Sequence, residues 1–210
     1  MIKSPLAPLP PDRRGRRFAQ LAAGLILYGV TASMLVLARL GLDPWDVLHQ
    51  GLSRTFGLGI GTWAVIVSVV VLLAWWPLRQ RPGVGTVANA LTVGLVIDLV
   101  LSLAHSPHAI WARWALLIGG VAGNGLATGL YIGAGLGPGP RDGLSTGLAG
   151  RGYSMRVVRT SIEATVLLVG FLLGGTVGIG TVVYAASIGL ITHQTIPWLM
   201  IGRRSSYQWS

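Results

Sequence analysis

Charged side chains inside apolar stretches are the residues of this sequence best suited to chemistry. Glu163 lies in "RVVRTSIEATVLL", four residues after Arg159, so a helix would place the two on one face as an ion pair. Asp98 lies in the apolar run "GLVIDLVL", and His193 occupies a matching place in a later apolar run. Carboxylates and imidazoles inside a membrane are typical of substrate and proton pathways. A structural contact with a neighbouring helix is the alternative for each of them.

A second group of polar residues belongs to a phrase, P-x-D-x-L-x-x-G-L, that the chain contains twice. It lies within "GLDPWDVLHQGL" at 41–52 and within "GLGPGPRDGLSTGLAG" at 135–150. Proline suits the first turn of a helix and an aspartate favours its N-terminus, so each phrase predicts a short helix. Such a helix either lies on the membrane surface, with Asp46 on its polar side, or dips into the protein as a half-helix. In the second phrase Arg141 and Asp142 lie at the helix start, where Arg141 and free N–H groups would attract an anion.

Composition indicates a membrane protein. Only 10% of the residues are charged and the mean hydropathy is +0.65, whereas a soluble domain carries about 25% charged residues. The net charge of +10 does not indicate a nucleic-acid partner, because most arginines lie between apolar segments. The chain has no cysteine, and its four histidines lack zinc spacing. We therefore expect no metal, no cofactor and no enzymatic activity.

Apolar stretches long enough to cross a membrane predict six transmembrane helices. Thirteen of the sixteen Lys and Arg residues fall on the side of the N-terminus, which predicts that both termini are cytoplasmic. Residues 1–17 are expected to be a flexible basic cytoplasmic tail and residues 201–210 a second cytoplasmic tail. The six predicted spans are 18–40, 59–78, 84–104, 111–134, 156–174 and 178–200.

An internal repeat relates the two halves of the chain. Residues 83–98 read "GVGTVANALTVGLVID" and residues 178–193 read "GIGTVVYAASIGLITH", which match at a shift of 95 residues, close to the shift of 96 between the two P-x-D phrases. The repeating units are 18–104 and 111–200. Each holds three spans, an odd number, so the second copy would enter from the opposite side. The predicted fold is all-α: six transmembrane helices as two inverted three-helix repeats, each with a short helix after its first span.

Several of these phrases resemble the YczE-like family of bacterial integral membrane proteins, which is distantly related to the YitT group. They are "LGLDPWDVLHQGLS", "GLGPGPRDGLS", "RVVRTSIEATVLLVGFLLGG" and "GIGTVVYAASIGL". The resemblance implies a protein of the bacterial cytoplasmic (inner) membrane with about six helices, and no catalytic residue can be carried over. The first copy departs from the charged pattern, since it has Trp45 where the second has Arg141. The resemblance also implies that Pro140, Arg141, Asp142, Arg159 and Glu163 belong to the family's pattern.

These features favour a small-solute transporter or channel-like protein in the lipid bilayer. Both an anionic solute and proton coupling are options, and the oligomeric state is left open. The alternative is a non-transporting membrane scaffold or regulatory protein, in which the polar groups only hold the bundle together. The residues expected along a substrate pathway are Asp46, Asp98, Arg141, Asp142, Arg159, Glu163 and His193.

Overall fold

Eight helices form the part of the chain that the structure, a computed structural model, describes: residues 6, 7 and 9–202. No strand occurs in that part, which confirms the predicted all-α class. The predicted tails, 1–17 and 201–210, lie partly outside the described residues, and the first helix already begins at Arg14. The helices are α1 (Arg14–Ala38), α2 (Pro44–Phe56), α3 (Ile60–Trp75), α4 (Val84–Leu103), α5 (Ile110–Gly133), α6 (Pro140–Ala149), α7 (Met155–Leu172) and α8 (Ile179–Leu199).

Four of these helices, α1, α4, α5 and α8, are long and apolar enough to cross a membrane. Helices α2 and α3 meet at an angle of 112° and together would make a fifth span. Helix α3 alone has only 16 residues. Helix α7 has 18 residues but carries Arg156, Arg159 and Glu163. The described residues therefore give four or five candidate spans, and the sixth stays a prediction.

The helices of the two halves are interleaved. Helices α1 and α5 pack against each other at the centre, with α4 packed on α1 and α8 packed on α5. The short helix α2 packs against α7, and the short helix α6 packs against α3. Close approach at these crossings depends on glycine: Gly51 of α2 faces the backbone of Gly170 in α7, and Gly143 of α6 faces the ring of Trp75 in α3. Each short helix is thus held by a helix of the other half.

The turn after α1 is closed by the start of α8. Gly41 adopts a positive φ of 114°, and a Cβ atom there would lie 2.7 Å from the backbone nitrogen of Gly178. The N–H of Gly180 donates a hydrogen bond of 2.7 Å to the carbonyl of Leu40. Only glycine combines this conformation with so close a neighbour.

The turn after α5 repeats these contacts with the start of α4. Gly137 has a φ of 122°, and a Cβ atom there would lie 2.9 Å from the Cα of Gly83. The N–H of Gly85 donates a hydrogen bond of 2.8 Å to the carbonyl of Leu136. In both halves the chain then turns back into the protein and begins its short helix at a proline.

Candidate functional site

Helix α2 begins inside the protein. The carboxylate of Asp43, only 1% exposed, accepts hydrogen bonds from the backbone N–H groups of Trp45 (2.8 Å) and Asp46 (2.9 Å) and so caps the helix. Asp46, His49 and Gln50 are also buried. A helix on the membrane surface would keep such side chains in water. The burial therefore contradicts the surface placement, and it supports the half-helix alternative.

Polar contacts between the buried residues hold α2 in this place. Asp46 Oδ1 lies 3.1 Å from His49 Nδ1, and the amide oxygen of Gln50 accepts a hydrogen bond of 2.7 Å from the backbone N–H of Thr176. The polar side of α2 thus faces other protein groups. The pattern that predicted an amphipathic helix was correct, but its polar face points inward.

Helix α6 begins opposite α2. Its N-cap is Gly139, which has no side chain to cap the helix. The indole of Trp75 donates a hydrogen bond of 3.0 Å to the carbonyl of Pro140, and Asp142 accepts one of 2.7 Å from the hydroxyl of Tyr131. Helices α3 and α5 therefore fix the start of α6.

The side chain of Arg141 bridges the starts of the two short helices. Its Nη1 lies 3.8 Å from Asp43 Oδ1, and its guanidinium lies 5.3 Å from the centre of the Tyr28 ring. The structure gives this guanidinium no hydrogen bond to any described residue. The P-x-D phrases, 96 residues apart in sequence, thus meet at an ion pair.

A cavity of about 300 Å³ adjoins this meeting point. Its wall combines residues of α2, α5, α6, α7 and α8. A smaller cavity of about 50 Å³ lies between α1, α2, α3 and α4, and Trp45, Tyr131 and Arg141 line both cavities. The charged residues in the wall of the larger one are Asp43, Arg141, Asp142, Arg159 and Glu163.

Helix α7 contributes the predicted ion pair to the larger cavity. Arg159 Nε donates a hydrogen bond of 3.0 Å to Glu163 Oε1, and both side chains are substantially exposed. The i, i+4 geometry is as the sequence predicted. Four of the seven residues expected on a pathway, Arg141, Asp142, Arg159 and Glu163, therefore line one cavity, and Asp46 lines its smaller neighbour.

The larger cavity exists because α7 is not packed along α8 as α3 is along α4. Gly61 of α3 and Gly94 of α4 pack backbone to backbone. The repeat partner of Gly94 is Gly189 of α8, which has open space where a Cβ atom would stand and lines the cavity. The two halves therefore differ: one outer helix pair is closed and the other is open.

Asp98 and His193 do not line either cavity. Asp98 caps α3 from α4: its carboxylate accepts hydrogen bonds from the N–H of Gly61 (2.7 Å), the N–H of Thr62 (2.7 Å) and the hydroxyl of Thr62 (2.6 Å). His193 is exposed on α8. These positions support the structural alternative for Asp98, and they do not join Asp98 and His193 to the residues around Arg141.

Three buried polar atoms in the described residues at this site have no hydrogen-bond partner: Tyr28 Oη, Asp43 Oδ2 and Asp46 Oδ2. Such atoms are rare in proteins and call for a ligand, a proton or water. Asp43, Tyr28 and Tyr131 are not among the site residues that the sequence predicted. The repeat of the P-x-D phrase pointed to this region, but no sequence signal placed the tyrosines beside it. No group of three or more His, Cys, Asp or Glu side chains among the described residues could hold a metal ion.

An all-helical bundle with long apolar helices and a charged interior defines the class of this chain as a membrane protein. The chain belongs to the family of unknown function DUF6198, whose model matches residues 15–197. A relative in Bacillus subtilis confirms the resemblance to the YczE-like family. It is named an uncharacterised membrane protein, YczE, and is 31% identical over 83% of each chain.

Other relatives extend the same similarity. The B. subtilis protein YyaS is 28% identical over 86% of this chain and 92% of its own length. A protein of Haemophilus influenzae is 40% identical over 82% of this chain and 80% of its own. Both are named as uncharacterised proteins. No solved structure matches the chain.

Proposed function

We propose that this chain is a small-solute transporter, or a channel-like protein, of the bacterial inner membrane. The observation that carries the proposal is the cavity of about 300 Å³ at the meeting point of the two short helices. Small-molecule sites are concave and have a few convergent polar groups. Transporters place such sites where half-helices from two repeats begin. A solid bundle around Glu163 would have favoured a scaffold, and Glu163 instead borders open space.

Six spans in two inverted repeats are part of the proposal. Helices α1 to α4 and α5 to α8 follow the same order of one long helix, one short helix and two further helices. The contacts of Gly41 with Gly178 and of Gly137 with Gly83 are reciprocal, as a two-fold relation between halves requires. Helix α7 counts as a span because Arg159 and Glu163 face the cavity and need not face lipid.

The difference between the halves supports alternating access. In proteins with inverted repeats, one half can be closed while the other is open, and exchange of these states exposes a central site to each side in turn. The closed pair here is α3 and α4, joined at Gly61 and Gly94, and the open pair is α7 and α8 at Gly189. The second state would close α8 onto α7 and open α4 from α3.

Cysteine labelling tests whether the cavity is filled with water. The identity of the solute is not needed for this test. The chain has no cysteine, so each substitution introduces a single thiol. Thr128→Cys lies in the cavity wall and should react with a charged, membrane-impermeant methanethiosulfonate in inside-out membrane vesicles, because α7 brings Arg159 and Glu163 to the cavity from its proposed cytoplasmic end. Ser33→Cys is the control, because Ser33 is fully buried between helices. Equal protection of both thiols would contradict a water-filled cavity.

Flux measurements test transport itself. Uptake of labelled methylguanidinium and of labelled sulfate would be measured in proteoliposomes, against empty liposomes. Glu163→Gln should leave the protein folded, since exposed ion pairs contribute only about 0–1 kcal/mol, and should reduce the flux. A scaffold would show no flux of either probe and a cavity closed to the thiol reagent.

A further inference from the structure

We propose that the site between the two short helices binds an organic cation with an ammonium or guanidinium group, and that Arg141 occupies this site as a tethered substitute when no ligand is bound. This inference deepens the proposed function and rests on it only for the passage of the cation, because binding can be measured separately. In the sequence, the position of Arg141 at a helix start suggested an anionic solute. The proposed cation replaces that anion as the ligand.

The charge of the walls favours a cation. The two cavities are lined by four carboxyl groups and only two guanidinium groups, so acidic side chains outnumber basic ones. A ligand with several N–H donors and a positive charge would complement these oxygens, whereas an anion would be placed among them. The carboxylates are those of Asp43, Asp46, Asp142 and Glu163, and the guanidinium groups are those of Arg141 and Arg159.

The unpartnered atoms of the site are those that a cation's N–H groups would meet. Asp43 Oδ2 and Asp46 Oδ2 are buried without a hydrogen-bond partner, and an ionised carboxylate can only accept. Asp43 lines the larger cavity and Asp46 the smaller one. Tyr28 Oη, also unpartnered, lines the smaller cavity beside them. An ammonium or guanidinium ligand carries several donors and no acceptor, which complements this set.

The aromatic walls match the same chemistry. Tyr28, Trp45 and Tyr131 line the smaller cavity together with Asp46. A cation over an aromatic face gains about 0.5–2 kcal/mol, more where water is excluded. Arg141 already shows the geometry, because its guanidinium lies 5.3 Å from the centre of the Tyr28 ring. The ligand would take the place of that guanidinium, between Tyr28 and Asp43.

Arg141 is held loosely enough to be displaced. Its closest carboxylate oxygen, Asp43 Oδ1, is 3.8 Å away, beyond hydrogen-bond distance. Its side chain keeps 29% of its surface exposed. By contrast, Arg17 is fixed by hydrogen bonds to Asp12 and to the carbonyl of Ala134. Arg141 can therefore move into the larger cavity, which it lines, when a ligand arrives.

Substitution of Arg141 distinguishes a site for cations from a site for anions, because the two predict opposite changes in binding. Binding of methylguanidinium to the full-length protein in detergent would be measured by isothermal titration calorimetry at constant ionic strength. Arg141→Gln should tighten binding about tenfold, the factor expected if Arg141 occupies the site about nine-tenths of the time. Arg156→Gln, which removes an exposed charge on α7, is the matched control and should not change the affinity. Methylurea, a neutral molecule of the same shape, should not bind.

Two further variants test the carboxylates. Asp43→Asn and Asp46→Asn should each weaken methylguanidinium binding at least about tenfold, which corresponds to one lost charged contact. Asparagine still caps a helix, so Asp43→Asn should fold, and its thermal unfolding midpoint checks this. Weaker or absent binding by Arg141→Gln, sulfate binding that needs Arg141, or no binding of methylguanidinium by either protein would overturn the cation site. Binding as expected without flux in proteoliposomes would contradict the transporter and leave the cation site standing.

Discussion

Gly94 and Gly189 occupy matching positions in α4 and α8, yet their surroundings are opposite. A Cβ atom on Gly94 would overlap the carbonyl of Gly61 in α3, whereas a Cβ atom on Gly189 would meet nothing within 4 Å. The same residue in the same sequence context thus closes one half of the molecule and borders the cavity in the other. In the transporter proposed above, a difference of this kind between the two halves is what alternating access requires.

Substitution of these two glycines by alanine should have opposite effects on stability. Gly94→Ala should destabilise the protein by about 1–3 kcal/mol, because the added methyl group cannot be accommodated between α3 and α4. Gly189→Ala should be neutral or stabilising by up to about 1 kcal/mol, since alanine is the better helix former and has space. Thermal unfolding in detergent measures both. Equal loss of stability in the two variants would contradict the difference between the halves.

Asp98 should behave as a structural residue and not as part of the solute path. Asp98→Ala removes the acceptor for the N–H groups of Gly61 and Thr62 at the start of α3, so it should cost about 0.5–2 kcal/mol. Asp98→Asn should cost less, because asparagine also caps helices. Neither change should alter the affinity for methylguanidinium. A large loss of affinity for methylguanidinium in a folded Asp98→Asn protein would show that Asp98 belongs to the solute path.

Trp75 should be essential for the position of α6, although its neighbour Trp76 should not be. Trp75 is 2% exposed and donates its indole N–H to Pro140, whereas Trp76 is 88% exposed. Trp75→Phe leaves the buried Pro140 carbonyl without that donor, at a cost of about 1–3 kcal/mol. Trp76→Phe is the matched control, expected within about 0.5 kcal/mol of the parent. Comparable unfolding midpoints for the two variants would contradict the docking of α6 on α3.

The stability that the start of α1 contributes to the protein should depend on pH. The pKa of Asp12 lies below its ordinary value because its carboxylate accepts hydrogen bonds from Arg17. The folded protein therefore favours the charged form, and the stabilisation is present above a pH of about 4 and lost as the pH falls through the lowered pKa. The difference in unfolding midpoint between the parent and Asp12→Asn should be constant near neutral pH and shrink in acid. A difference that grows in acid would contradict the pairing.

Local features of the fold could be predicted from the sequence, because they depend on nearby residues. Helix starts at Pro44 and Pro140 follow from proline at the first turn, and the pair of Arg159 and Glu163 follows from helical spacing. The repeat of glycine phrases also indicated where the halves correspond. These signals located most of the residues around the larger cavity.

Features that depend on tertiary contacts could not be predicted. Asp98 looked like a pathway residue because it lies in an apolar run, and only the position of α3 shows that it caps a helix. The polar side of α2, with Asp46 and His49, suggested a surface helix because a sequence pattern does not say which face meets protein. The role of Tyr28 beside Arg141 depends on the packing of α1 near α6, for which the sequence carries no local signal.

In the proposed inverted-repeat arrangement, the two halves are threaded in opposite directions, so that their short helices enter from opposite sides and meet at Asp43 and Arg141. Single cysteines at Thr55, near the end of α2, and at Tyr153, just after α6, test it most directly, because both residues are exposed. With an impermeant thiol reagent, Thr55→Cys should react only from the periplasmic side and Tyr153→Cys only from the cytoplasmic side. Reaction of both cysteines from the same side would contradict the inverted arrangement and the cavity built on it.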